Sequence, residues 1–290
     1  MVGMGASACS LLINLGWMNS ESPTRARPRG SMNTELPSSP QALAGIPPAV
    51  GGLFNFRDAA AGTGTPGLRR GMLFRSGALN DLDPAGLAEL AAAGIGTVVD
   101  LREPMEIASA PDNVPAGTQM RNVPLYRGSL PVSEPIEAVY RHLLQNCARA
   151  LTSAVGEVIR NLDGGVLVHC AAGKDRTGLV IALVLEVAGA SRSAIVEDYS
   201  RTEAALPHSF RQVVLARLGD KISDPADMAI AVRLHLASPP EVLDSALQDL
   251  AKQSFEGETG AAAYLLRHGL GQDLLDRARV LLHGTGIPAA

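Results

Sequence analysis

The chain is poor in several residue types, and each shortage narrows what it can be. Aromatic residues make up only 3% of its 290 positions (five Phe, four Tyr, one Trp), so a core must rest on Leu, Val, Ile and Ala. Cysteine occurs three times, at Cys9, Cys147 and Cys170. That is too few and too scattered for a disulfide framework or a zinc site, and it points to a reducing, cytoplasmic setting. A strong charge of either sign is missing: the net charge is −4, with no overall pull towards nucleic acid or an anionic membrane. Any attraction for phosphate must be local. Lysine is scarce, with Lys174, Lys221 and Lys252 set against 22 arginines.

A leader is also hard to find. Met1–Met18 is mildly apolar but has no basic start and is interrupted by Gly and Asn, and no apolar segment precedes Ala6–Ser7–Ala8–Cys9. Residues 19–50 are rich in Ser, Pro and Arg. Residues 1–50 therefore read as a disordered tail or as over-annotated upstream sequence with Met32 as the true start. No stable membrane insertion is expected. What remains, 51–290, has ample length for one large α/β domain with extra helices.

One stretch organises that domain, Val166 to Gly178, VLVHCAAGKDRTG. The apolar run before His169 has strand length and β-branched content. After the loop, the unbroken apolar run Leu179–Val187 is long enough for a buried helix. Strand, glycine-containing loop and helix in that order form a phosphate cradle, because successive loop N–H groups make a nest and the helix N-terminus adds partial positive charge. Cys170 at the start of such a loop is biased towards thiolate. Arg176 at its end offers a bidentate fork for phosphate oxygens. With lysine so rare, Lys174 inside the loop reads as a functional ammonium.

These residues resemble the cysteine-dependent protein-tyrosine phosphatase superfamily, whose signature is H-C-x5-R-[ST]-G. The fuller form, His169 to Gly178, resembles the bacterial tyrosine/serine phosphatase family and is similar to loops of myotubularin-type lipid phosphatases. The resemblance implies a mostly parallel central sheet flanked by helices, and phosphomonoester hydrolysis through a phosphocysteine. It implies no cofactor and no metal. Cys170 would be the nucleophile, and Ala171, Ala172, Gly173, Lys174, Asp175 and Arg176 would hold the phosphate. Thr177 would support the sulfur and His169 would orient the loop. No upstream aspartate has a convincing acid's context, Asp112 and Asp163 included, so Asp175 is assigned as general acid/base, against a purely structural role fixing Arg176. The implied substrates are phosphotyrosine proteins, with phosphoserine/threonine as an extension. Phosphoinositides are the alternative, since Lys174 suits a second phosphate, and a catalytically silent phosphate-binding module is a further one.

Other segments extend the resemblance across about residues 50–285. Phe54–Asp58 and Arg70–Gly77 read as strand and turn pieces. Arg57, Asp58 and Arg75 are either a buried scaffold or, for Arg75, a group near the substrate's charge. Asp83 caps a helix through Ala93. Gly96–Arg102 reads as a strand with Glu106 four residues on, and Asp100 at its end is either functional or a loop anchor. Ser133 to about Leu162 reads as one helical stretch with Cys147 on its apolar face. Ser191 caps another helix, containing Asp198–Tyr199. Residues 207–258 look helical, broken at Pro239–Pro240, and are a candidate lid; a closing helix pair spans Ala261–Leu282.

Overall fold

Three short runs that are buried along their whole length build the centre of the sheet. The computed structural model describes residues 51–283, and the expectation for residues 1–50 lies outside them. In chain order the first half comprises β1 (Arg57–Asp58), α1 (Ala59–Thr63), β2 (Leu73–Ser76), α2 (Pro84–Ala92), β3 (Thr97–Asp100), α3 (Pro104–Ser109), β4 (Gln119–Asn122), α4 (Ile136–Gln145) and α5 (Ala148–Asn161). Then come β5 (Val166–His169), α6 (Asp175–Val187), α7 (Arg192–Ser200), α8 (Thr202–Ala205), α9 (His208–Gly219), α10 (Pro225–Leu236) and α11 (Pro240–Ala251). The hairpin β6 (Ser254–Phe255) and β7 (Glu258–Thr259) leads to α12 (Gly260–Arg267) and α13 (Gln272–His283).

The main sheet runs β1-β2-β5-β3-β4, parallel except for β1. The α/β class is as the sequence suggests. β5 lies at its centre, and Ser76 of β2 and Asp100 of β3 both align with His169. The carboxyl ends of three strands thus finish level, immediately before Cys170, where open α/β sheets place their ligands. Behind them α6 is apolar on all sides and buried from Arg176 to Leu185. Such a helix belongs in a core, and each of its buried leucines contributes about 1.5–3 kcal/mol.

Two local expectations need correcting, and one strand adds to them. The single helix read from Ser133 to Leu162 is two. Cys147 leaves helical geometry (φ −105°, ψ 13°), next to Asn146 in a pair of weak helix formers. The break is made good by Tyr264, whose hydroxyl donates to the Leu144 carbonyl at 2.8 Å; Cys147 itself is buried, as its pattern implies. The segment 207–258 is not helical throughout: Glu256 (φ 50°) and Gly257 (φ 84°) close a two-residue turn between β6 and β7. Finally, β4 has no counterpart in the sequence reading. All four of its residues are exposed, so it is an edge strand with no apolar alternation to reveal it.

Candidate active site

The loop between β5 and α6 is held from outside by its carbonyls. Asn55 donates to the carbonyls of Ala172 (3.1 Å) and Gly173 (3.0 Å), and Arg75 donates to that of Gly173 (2.8 Å). On the inner side, the backbone N–H groups of Lys174 and Thr177 donate to the Cys170 sulfur. Gly173 is required here: its φ is 67°, and a Cβ would lie 2.0 Å from the Ser76 carbonyl oxygen. Arg75 and Arg57 both close on Asp198 of α7, at 2.8 and 2.6 Å, with side chains 1–9% exposed. Burial and the neighbouring Arg75 bring the Arg57 guanidinium down to about 10, while the two arginines hold Asp198 below the usual carboxylate range in spite of its burial. Of the two readings of Arg75, the geometry is that of the scaffold. Asp58 serves locally, accepting from Ala60 and Ala61 at the start of α1.

Cys170 is buried at the cleft floor. Burial alone would raise its thiol, but Arg176, the Thr177 hydroxyl and the backbone N–H groups of Thr177 and Lys174 outweigh it and the thiol is lowered. Arg176 is clamped by Glu106 through two parallel bonds of 2.6 and 2.9 Å. Burial works against the Arg176 charge, yet Glu106 keeps it well above the ordinary value. Glu106 is itself fixed by accepting from the Glu103 N–H at 2.8 Å, and the Tyr126 ring lies 5.3 Å from the guanidinium carbon. Neither Glu106 nor Tyr126 was given a role from sequence. A fully buried guanidinium requires a carboxylate, and Glu106 in the D-L-R-x-x-x-E stretch was the available signal.

His169 sits beneath the loop. Its Nδ1 is 3.2 Å from the Cys170 carbonyl and its Nε2 is 3.1 Å from Asp112. Asp112 is thus no acid over the cleft but a strut under it, also accepting from the Leu79 N–H (3.1 Å). Asp163 is remote, paired with Arg277 at the surface. Asp100 anchors: it takes the Arg102 guanidinium at 2.9 Å, and Arg102 reaches Asp112 at 2.7 Å. Asp100, Asp112 and His169 gather ligand-type atoms within 4.8 Å of one another, but Arg102 already compensates both carboxylates, and the cluster reads as a buried charge network.

Burial opposes charge on His169, but Asp112 and Asp100 prevail and push it up to about 9; Asp112, against the cost of burial, is held at about 2. The folded-state value of His169 is raised, so its stabilisation is whole below the ordinary value near 6.5 and is lost as pH rises through about 9. Asp112 is depressed, so its contribution is present above its ordinary 3.8 and fades as pH falls through about 2. Urea midpoints should therefore fall between pH 6.5 and 9 in the wild type, and Asp112→Asn should flatten that slope. Parallel profiles for the two proteins would contradict the assignment.

The cleft is narrow, with a volume of about 70 Å³. Cys170, Lys174, Asp175 and Arg176 form its floor, with Tyr126 and Pro131 at one side. Lys174 is 1% exposed and its ammonium lies 2.8 Å from Asp175. Phe210 and Val214 of α9 and Leu234 and His235 of α10 stand over the opening. The two helices share a small apolar core with Phe54 and Ala172 of the loop, and Phe54 meets Phe210 at 5.6 Å between ring centroids. His235 Nε2 reaches the Val132 carbonyl (2.9 Å) and Arg233 reaches Glu137 (2.7 Å). The candidate lid thus narrows to α9 and α10. α11 packs into the main core through Val242, Leu243 and Leu247.

Among the described residues no helix is long and apolar enough to cross a membrane. A family model described as "Tyrosine phosphatase family" matches residues 48–283. The chain is 33% identical over 276 residues to the triple specificity protein phosphatase PtpB of Mycobacterium tuberculosis, covering 80% of this chain and 98% of that one. It is 26% identical to a tyrosine-protein phosphatase of Nostoc commune over 69% of this chain and 68% of the relative. The core catalytic domain of the PP-IP phosphatase SIW14 from S. cerevisiae matches at 15% identity and a TM-score of 0.33, covering 70% of this chain and 95% of that one.

Proposed function

The chain belongs to the tyrosine phosphatase family, and from that premise we propose that it hydrolyses phosphomonoesters through a phosphocysteine on Cys170. The observation that carries this is a thiol lowered in spite of full burial, facing an arginine whose orientation a bidentate carboxylate fixes. Sγ attacks phosphorus in line, a P–S bond forms and the P–O ester bond breaks. The equatorial oxygens are matched by the N–H groups of residues 171–176 and by Arg176, so that the charge of the transferring group meets donors already in place. Asp175, on the cleft floor, gives its proton to the leaving oxygen and then takes one from the water that cleaves the P–S bond. Thr177 stabilises the departing sulfur in that second step, and His169 holds the Cys170 carbonyl. Lys174 keeps Asp175 in place.

Phosphotyrosine in proteins is the proposed first substrate. Phosphoserine and phosphothreonine are the proposed extension, and the words "triple specificity" in the name of the Mycobacterium tuberculosis relative support a range wider than one substrate class. A cytoplasmic setting belongs to the same proposal, because Cys147 and Cys170 are both free thiols and the nucleophile must stay reduced; cell fractionation tests it. We assign α9 and α10 as a cover that opens for substrate. Deleting 207–237 should alter KM, and unchanged kinetics would remove the role. The acid role of Asp175 is tested with a series of aryl phosphates. Asp175→Asn should slow esters with poor leaving groups by about 10²-fold or more and barely affect those with good ones. An equal loss across the series would leave Asp175 a structural part only.

A further inference from the structure

A second groove lies beside the catalytic cleft, and we propose that it seats the residue flanking the phosphorylated one in a peptide substrate, with an apolar or basic neighbour preferred over an acidic one. This rests on the phosphatase reading above and names the substrate class of the same site.

The groove opens to solvent, has a volume of about 320 Å³ and shares Tyr126, Leu130 and Pro131 with the cleft. Tyr126 is the partition. Arg176 lies over its ring, and His142 stacks with that ring at 6.4 Å and an interplanar angle of 27°. A peptide whose phosphorylated side chain descends to Cys170 can lay an adjoining residue across this partition. The far side offers Leu130, Pro131 and Ala138 as apolar walls, with Glu134 and His142 at the rim.

Charge separates a peptide from a polyphosphorylated headgroup. Among the described residues lining the groove there is no Lys or Arg, and Glu134 is its one carboxylate. Further phosphates on an inositol ring would meet Glu134 there. In the cleft itself, Arg176 serves the phosphoryl group being transferred and Lys174 is paired with Asp175. An aliphatic side chain finds a matching wall, and a basic one finds Glu134.

Steady-state kinetics on the full chain test this with four substrates: p-nitrophenyl phosphate, phosphotyrosine peptides flanked by Leu and Arg or by Asp, and an inositol bisphosphate lipid in micelles. Ala138→Trp fills the groove and should raise the KM of the Leu/Arg-flanked peptide about tenfold more than that of p-nitrophenyl phosphate. Glu134→Gln, which keeps an acceptor for the Val132 and Ser133 N–H groups, should erase the preference for the Arg-flanked over the Asp-flanked peptide. If Ala138→Trp does not fold, Ser129→Trp at the exposed rim replaces it. Equal effects of the filling variant on peptide and p-nitrophenyl phosphate would overturn the proposal. So would a wild type indifferent to the flanking charge, or an inositol lipid that loses as much as the peptide. A wild type inactive on p-nitrophenyl phosphate would instead remove the phosphatase reading itself.

Discussion

Cys170→Ser should lose p-nitrophenyl phosphate turnover by about four orders of magnitude or more while still binding vanadate or phosphopeptide. The serine hydroxyl is close in size, but its pKa is far too high for the field that Arg176 and the loop donors supply. These groups lower a thiol from near 9; they do not ionise an alcohol. The nucleophile is removed and the phosphate cradle stays, so catalysis falls and ground-state binding persists. EDTA should leave wild-type activity unchanged. Substantial activity in Cys170→Ser would mean that water attacks phosphorus directly.

The second large effect is on stability. Asp198 is 1% exposed and is the shared counter-charge of Arg57 and Arg75. Removing one partner of a buried ion pair leaves an uncompensated charge in low dielectric, at a cost of about 3–5 kcal/mol. Asp198→Ala leaves two. Unfolding in urea should show at least that loss, and the melting temperature should fall by about 10 °C. Activity should suffer in the surviving folded fraction, because Arg75 also holds the Gly173 carbonyl and hence the loop. Asp198→Asn, which keeps shape and acceptor, should recover part of the packing but not the charge. A variant within about 0.5 kcal/mol of wild type would show that the arginines find other partners.

The catalytic loop was legible in the sequence because its signal is local. The β-branched run before His169, the glycine that the Ser76 carbonyl demands, and the apolar run of α6 lie within about twenty consecutive positions. The acidic partners were not legible in that way. Glu106 is 70 positions from Arg176 and Asp198 is 123 from Arg75, and only the folded chain brings each carboxylate to its arginine. Both stood in segments that resembled the family, with nothing in spacing to assign them. Asp112 has no acid's context in the sequence, and in the fold it faces His169, on the far side of the loop from the cleft. Residues 207–258 show the same limit differently. Their apolar residues are alike in kind, and tertiary packing alone divides them, sending Phe210 and Val214 over the cleft and Leu243 and Leu247 into the core.

Catalysis by this site depends on the phosphoryl group passing to the Cys170 sulfur. Acid quenching of the enzyme within milliseconds of mixing with a good-leaving-group aryl phosphate, followed by peptide mass spectrometry, tests it directly. A phosphoryl adduct on the peptide carrying Cys170, formed at the rate of the aryl-alcohol burst, is the result predicted. Multiple turnovers with no adduct at Cys170, or an adduct on another residue, would contradict it.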